Sequence, residues 1–218
     1  MTGLLVDPAL GDAPVAAVLA AAYQGARCFV DRRGHAVPLE AARWSGEVDV
    51  VDAALLDQCR GPVLDIGCGP GRLVAALTAR EVCALGIDVL DEAVRLTRAR
   101  GAAALCRDVF APLPAEGLWG TTLLADGSIG IGGDPARLLC RTGQLLAPGG
   151  RVVVDLAAYG TGVATRTLRL RTDLLRSGEF PWAFVGAEAI GELASGAGFD
   201  VHSRHEYGGR WFAVLTRR

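Results

Sequence analysis

The sequence predicts an α/β protein built on a parallel sheet, and three observations lead there. From Gly61 onward short apolar runs alternate with amphipathic helical segments, the signature of βαβ units. The first run turns into its helix through Gly67, Gly69 and Gly71. The chain has 218 residues, 51% of them hydrophobic, enough for one principal domain with a full core.

Taken in order, the pattern up to residue 60 is helical. Ala13 to Ala26 is rich in Ala, Leu and Val, and Glu47 to Cys59 repeats Val48, Val51 and Leu55 with acidic residues near its start. Residues 1–60 read as a helical lead-in or cap within the same domain, ended by Gly61-Pro62, and residues 61–218 as its main body. The first strand is Val63 to Ile66, and the helix after the glycines, from about Arg72 to Arg80, buries Leu73, Val74 and Leu77. A second strand, Val82 to Asp88, leads to a helix from Asp91 to Arg100 closed by Gly101. A third strand ends near Asp108. After a loop through Pro112 and Pro114, the fourth runs from Thr121 to Asp126.

Asp134-Pro135 supplies an N-cap and a first-turn proline for the next helix, which Ala147-Pro148-Gly149-Gly150 ends before a fifth strand, Arg151 to Leu156. Between Thr161 and Pro181, Leu168 and Leu170 alternate with Arg169 and Arg171, as in an extended edge or flap. A helix from about Ala187 to Ser195 precedes two strands, Phe199 to Glu206 and Arg210 to Thr216. Tyr207-Gly208-Gly209 joins them in a tight hairpin and makes the last strand antiparallel.

Composition excludes several classes. With 22 basic against 24 acidic residues the net charge is -2, so nothing draws the whole chain to phosphate backbones or anionic membranes. Every basic residue is Arg and there is no Asn, which removes Lys-based Schiff-base and P-loop chemistry. Six cysteines, at 28, 59, 68, 83, 106 and 140, lie scattered without a metal-ligand spacing, so reduced thiols and no metal are expected. The apolar run Ala13 to Tyr23 follows Asp7 and Asp12, has no Arg before it and is too short to span a bilayer. We expect a cytoplasmic protein without a membrane partner. The sequence carries no signal for an oligomeric state.

The chemistry centres on Asp65-Ile66-Gly67-Cys68-Gly69-Pro70-Gly71. Glycines where a strand turns into a helix let a ligand approach backbone N–H groups, so an anion or nucleoside is expected there. A dinucleotide fingerprint would place its third glycine at position 72, where this chain has Arg72. Val63 to Gly71 reads VLDIGCGPG, and in this it resembles the first motif of the class I S-adenosylmethionine-dependent methyltransferases.

That resemblance, which runs from about Gly61 to the C-terminus, implies a doubly wound, seven-stranded, mostly parallel Rossmann-like sheet with an antiparallel last strand and an N-terminal helical cap. It implies S-adenosyl-L-methionine as cofactor and S-adenosyl-L-homocysteine as product. The cofactor would lie against Asp65, Gly67, Cys68, Gly69 and Gly71. Asp88, seventeen residues past Gly71, would accept from both ribose hydroxyls, which suits a carboxylate. Asp108 would accept from the adenine amino group with Val109 offering its N–H, and Asp126 would lie between cofactor and substrate.

Departures from subfamilies narrow the acceptor. The chain has Asp126-Gly127-Ser128-Ile129 where base-methylating enzymes of the family carry Asp/Asn-Pro-Pro-aromatic, and it lacks the Asn and Lys of the metal-dependent catechol type. The expected reaction is metal-independent methyl transfer to O, N or C of a small-molecule metabolite, with no nucleic-acid partner. Ligands of such sheets bind beyond the C-terminal strand ends. That position nominates Tyr23, Trp44, Tyr207, Arg210 and Trp211 for the substrate and His205 or Tyr159 as a general base, should one be needed. A binding protein without turnover and an RNA or protein methyltransferase are the alternatives.

Overall fold

The structure, a computed structural model, describes residues 12–32 and 35–218. The described part of the chain opens with α1 (Val15–Tyr23), β1 (Cys28–Arg32), β2 (His35–Leu39), α2 (Ala41–Ser45) and α3 (Val50–Leu56). Alternation then brings β3 (Val63–Ile66), α4 (Arg72–Ala79), β4 (Ala84–Asp88), α5 (Asp91–Ala99), β5 (Ala104–Cys106) and β6 (Trp119–Leu124). A 3-10 segment, Ser128–Gly133, leads into α6 (Pro135–Leu145), β7 (Leu146–Leu156), β8 (Val163–Arg171), β9 (Phe180–Val185), α7 (Ile190–Gly196), β10 (Phe199–Tyr207) and β11 (Arg210–Arg217).

Two compact units divide these elements. One holds Met1–Gly46 with Thr167–Phe180, the other Glu47–Arg166 with Pro181–Arg218. Part of the segment expected as an edge or flap, Thr167 to Phe180, belongs with the first unit. The lead-in is also not wholly helical. β1 pairs antiparallel with β2, from Cys28 opposite Leu39 to Arg32 opposite His35, and with β8, Phe29 lying opposite Arg171. Val18, Ala22, Cys28, Ala41 and Leu170 form this unit's core.

The second unit carries a seven-stranded sheet of order β10-β11-β7-β6-β3-β4-β5. β3 pairs parallel with β4 and β6, β4 with β5, and β6 with β7. β11 alone runs against its neighbours β7 and β10. This is the expected doubly wound sheet with its antiparallel last strand. Side chains alternate between its faces: Leu64, Ile66, Val152, Val154, Ala213 and Leu215 pack with Leu138, Leu139 and Leu145 of α6 and Ile190 and Ala194 of α7. Val63, Leu123, Val153 and Phe212 pack on the other face with Leu55 and Leu56 of α3 and Leu73 and Leu77 of α4.

Helix starts follow the capping chemistry. Asp49 caps α3 and forms a reciprocal box with Asp52, and Asp134 accepts from the Arg137 N–H at 2.9 Å ahead of Pro135. Ala147 to Gly150 bulge out between the pairs Leu146–Trp119 and Arg151–Thr121, so the regular part of β7 begins at Arg151. Among the described residues no helix is long and apolar enough to cross a membrane.

Candidate active site

The turn from β3 into α4 is built from left-handed glycines: Gly67, Gly69 and Gly71 have φ of 72°, 52° and 80°, a region that L side chains avoid. Two of them are also close approaches. A Cβ on Gly67 would lie 2.9 Å from Ser128 Oγ, and one on Gly71 would lie 2.3 Å from Thr97 Oγ1. Gly71 therefore lets the start of α4 close on α5, while Gly67 lets the segment after β6 lie against the turn. The Gly67 and Cys68 N–H groups donate to Ile87 O at 2.8 and 3.0 Å. The Cys68 side chain is buried beside Gly86 and Thr97; burial pushes its thiol pKa up, so it serves packing.

Asp88, ending β4, faces this turn. Its Oδ2 accepts from the Gly69 N–H and its Oδ1 from the Leu90 N–H, both at 2.9 Å. Each oxygen keeps a further lone pair for a ligand hydroxyl. Burial raises its pKa against the pull of these N–H groups. Asp65, in β3, is 2% exposed, and its Oδ2 is buried with no hydrogen-bond partner among the described residues. Burial and the charge of Asp126 push its carboxyl up to about 7, with Arg72 pulling the other way. Asp108 lies exposed past β5, where its Oδ1 accepts from the Phe110 N–H at 2.9 Å, and Val109 is buried.

Asp126 closes β6 with φ 52° and belongs to a network of buried charge. Its Oδ2 accepts from Arg72 Nη2 at 2.6 Å, its Oδ1 from Arg210 Nη2 at 3.2 Å, and its N–H donates to Asp155 Oδ2 at 2.7 Å. Arg72 also pairs with Asp52, and Arg210 with Asp155 and, at 2.6 Å, with Asp52 Oδ1. Burial would raise the Asp52 carboxyl, but Arg210, the Asp49 N–H and Arg72 hold it below its ordinary value. Burial dominates at Asp155 and raises it despite Arg210.

Arg210, expected to meet substrate, is thus taken up by three carboxylates. Sequence reasoning missed Asp52, Arg72 and Asp155 as site residues. The signal for Asp155 was present, a carboxylate directly after the buried run Val152 to Val154. His205, nominated as a base, has Nε2 2.8 Å from Ser203 Oγ and stacks on Phe212 with ring centres 4.7 Å apart. Tyr207 stacks on Phe212 as well, at 6.1 Å. Tyr159, 72% exposed beyond β7, has its ring 6.4 Å from that of Trp211. Tyr23 and Trp44 belong to the first unit, where their rings meet edge to face at 6.3 Å. Among the described residues no group of three His, Cys, Asp or Glu side chains is arranged to hold a metal ion.

No protein-family model matches the chain, and a search of curated protein sequences gives no match. Solved structures do match. An S-adenosylmethionine-dependent methyltransferase from Bacteroides fragilis, in complex with S-adenosyl-L-homocysteine, superposes with a TM-score of 0.77 at 21% identity, over 96% of this chain and 98% of that one. The 1,6-didemethyltoxoflavin-N1-methyltransferase of Burkholderia thailandensis gives 0.61 at 18% identity over 97% of both chains. An amino pentose methyltransferase of Micromonospora echinaspora gives 0.61 at 17% identity, over 82% of this chain and 95% of that one. What these likenesses share with the sheet order and the glycine turn is an architecture: this chain has the fold of the class I S-adenosylmethionine-dependent methyltransferases.

Proposed function

We propose that the chain catalyses S-adenosylmethionine-dependent methyl transfer to an O, N or C atom of a small metabolite, without a metal. One observation carries the reading. Around a turn of left-handed glycines the chain presents Asp88 with lone pairs to spare and Asp65 with a buried oxygen that no donor among the described residues reaches. Such an atom is costly unless a ligand supplies the donor, and a nucleoside joined to an amino acid brings both hydroxyls and an ammonium group.

In this reading Asp88 holds the ribose, Asp65 Oδ2 takes a donor of the cofactor, Asp108 and Val109 meet the adenine, and Asp126 lies toward the acceptor. When bound, the cofactor supplies a methyl group on a cationic sulfur. The residues of the chain align the acceptor and exclude water, which in well-oriented systems contributes roughly 7–11 kcal/mol. The side chain of His205 is engaged with Ser203 and Phe212, which favours transfer driven by alignment over transfer that waits on this base. Tyr159, past the end of β7, and Tyr207 and Trp211, at the β10–β11 hairpin, are the aromatic groups we assign to acceptor contact. The net charge of -2 supports a small molecule over nucleic acid, and we place the protein in the cytoplasm.

A thermal shift tests this. Saturating S-adenosylhomocysteine raises Tm, since a ligand at 100 times its Kd stabilises by about 2.7 kcal/mol, while NAD and a short RNA leave it unchanged. Asp88→Asn weakens the S-adenosylhomocysteine response at least tenfold in Kd. A rise with NAD and none with S-adenosylhomocysteine would remove the reading.

A further inference from the structure

A cleft of about 330 Å³ opens in the second unit between Arg60, Gly61, Gly120, the bulge from Ala147 to Gly150, and Arg151. Gly61 lies just before β3, Gly120 near the start of β6, and Arg151 where the regular part of β7 begins. These three strands are parallel neighbours, so the cleft sits at their entering ends. The glycine turn, which follows β3, lies at the other end of the sheet.

One buried residue fixes both arginines. Thr121 Oγ accepts from the Arg60 N–H and donates to the Arg60 carbonyl, both at 2.8 Å, and Thr121 is the register partner of Arg151 on β7. Only glycine fits at position 120 beside this anchor, since a Cβ there would lie 2.6 Å from Arg60 O. Among the described residues neither arginine makes an ion pair. Arg151 Nη1 donates to Gln58 O at 3.3 Å, and the Arg60 side chain makes no hydrogen bond. Burial, and then the charge of Arg60, hold the Arg151 guanidinium below its ordinary value, so the two positive charges are near enough to repel. Asp57, three residues before Arg60, is paired with Arg80 at 2.8 Å. The Cys59 thiol is pushed up to about 12, chiefly by burial, and stays neutral.

We propose that this cleft is a binding site for a phosphate group carrying two negative charges, held by Arg60 and Arg151 and separate from the methyl-transfer site. The guanidinium fork matches phosphate oxygens and is more weakly hydrated than an ammonium group. A doubly charged anion set between two unopposed cations also removes their repulsion. The volume exceeds that of a phosphate ion and leaves room for the organic part of a small phosphomonoester. Among the described residues the lining holds no aromatic side chain on which bases would stack, and the net charge of -2 gives a nucleic-acid strand no wider attraction. The proposal does not depend on the cofactor.

Isothermal titration at about 0.15 M salt, where long-range attraction between exposed charges is screened, tests it with ribose 5-phosphate, inorganic phosphate, ribose and a short RNA. Ribose 5-phosphate is expected to fill one site with a Kd of about 1 mM or tighter, and ribose to show no binding. Arg60→Gln and Arg151→Gln are each expected to weaken the phosphate by about tenfold. Tighter binding of the ester than of inorganic phosphate supports the site and assigns it to a phosphomonoester; equal binding supports it and assigns it to the free ion. Saturating S-adenosylhomocysteine is expected to leave the phosphate affinity unchanged. Competition between the two would place the phosphate at the glycine turn and overturn the proposal, as would an affinity that both variants leave intact, or no saturable binding. Preference for the RNA would overturn it in favour of nucleic acid. Arg60 is exposed and its side chain bonds to no described residue, so Arg60→Gln keeps the fold and decides the matter even where Arg151→Gln does not. Failure of S-adenosylhomocysteine itself to bind counts against the methyl-transfer reading alone.

Discussion

Asp65 shows how one residue couples stability to function. Its carboxyl, raised to about 7 by burial and by Asp126, lies well above the roughly 3.9 of an unfolded chain. Between those values the folded state binds a proton that the unfolded state does not, so on this group's account stability is present at low pH and is lost as pH rises through 7. In urea titrations of the ligand-free protein at pH 5 and pH 8, Asp65→Asn is expected to shrink the loss of stability by about 2–3 kcal/mol. Parallel pH profiles for variant and native protein would contradict this. Gly71 poses a steric question instead. An added Cβ would meet both a left-handed backbone and Thr97 at 2.3–2.6 Å. Overpacking and φ strain together cost about 2–4 kcal/mol, so Gly71→Ala is expected to lower Tm by roughly 5–15 °C in a scan.

At the scale of elements, Arg210 at the start of β11 ties together α3 through Asp52, the end of β6 through Asp126 and β7 through Asp155. Removing one partner of a buried ion pair leaves uncompensated charge and costs about 3–5 kcal/mol. Arg210→Met therefore destabilises the protein by that amount in chemical denaturation. Adding Asp155→Leu restores part of the loss, and a double variant no better than the single one would argue against the pairing. None of this was legible in the sequence, because Asp52 and Arg210 are 158 residues apart. Local signals did better. Glycines, Asp-Pro and period-two apolar runs located β3 to β7, β10 and β11, since there the turn chemistry and the burial pattern agree, while β8 was read only as an extended edge or flap and β9 was missed. β1 and β2 were missed because they are five residues each and follow an Ala-rich helix, and because β1 takes as its second partner a strand more than 130 residues away.

For the whole molecule, the division into two units follows the cores. Val18, Ala22, Cys28, Ala41 and Leu170 cluster entirely within the first unit, while the clusters on both faces of the seven-stranded sheet draw every residue from the second. A unit with a buried core of its own is a candidate for folding alone. The second unit's two segments also end near each other, since Thr165 and Pro181 lie within 3.2 Å of the point a Gly133 Cβ would occupy. A shortened chain joining 47–166 to 181–218 through a few Gly and Ser residues is therefore expected to unfold in one cooperative step and keep the circular dichroism of the parallel sheet. Loss of cooperativity on shortening would mean that the first unit stabilises the sheet through more than its own core. The carboxylates and glycine turn all lie between residues 47 and 166 or 181 and 218, so S-adenosylhomocysteine titration of the same chain asks how much of the site this sheet supplies. Residual affinity within about tenfold of the native protein is the expected result, and complete loss would assign the missing part to the elements removed.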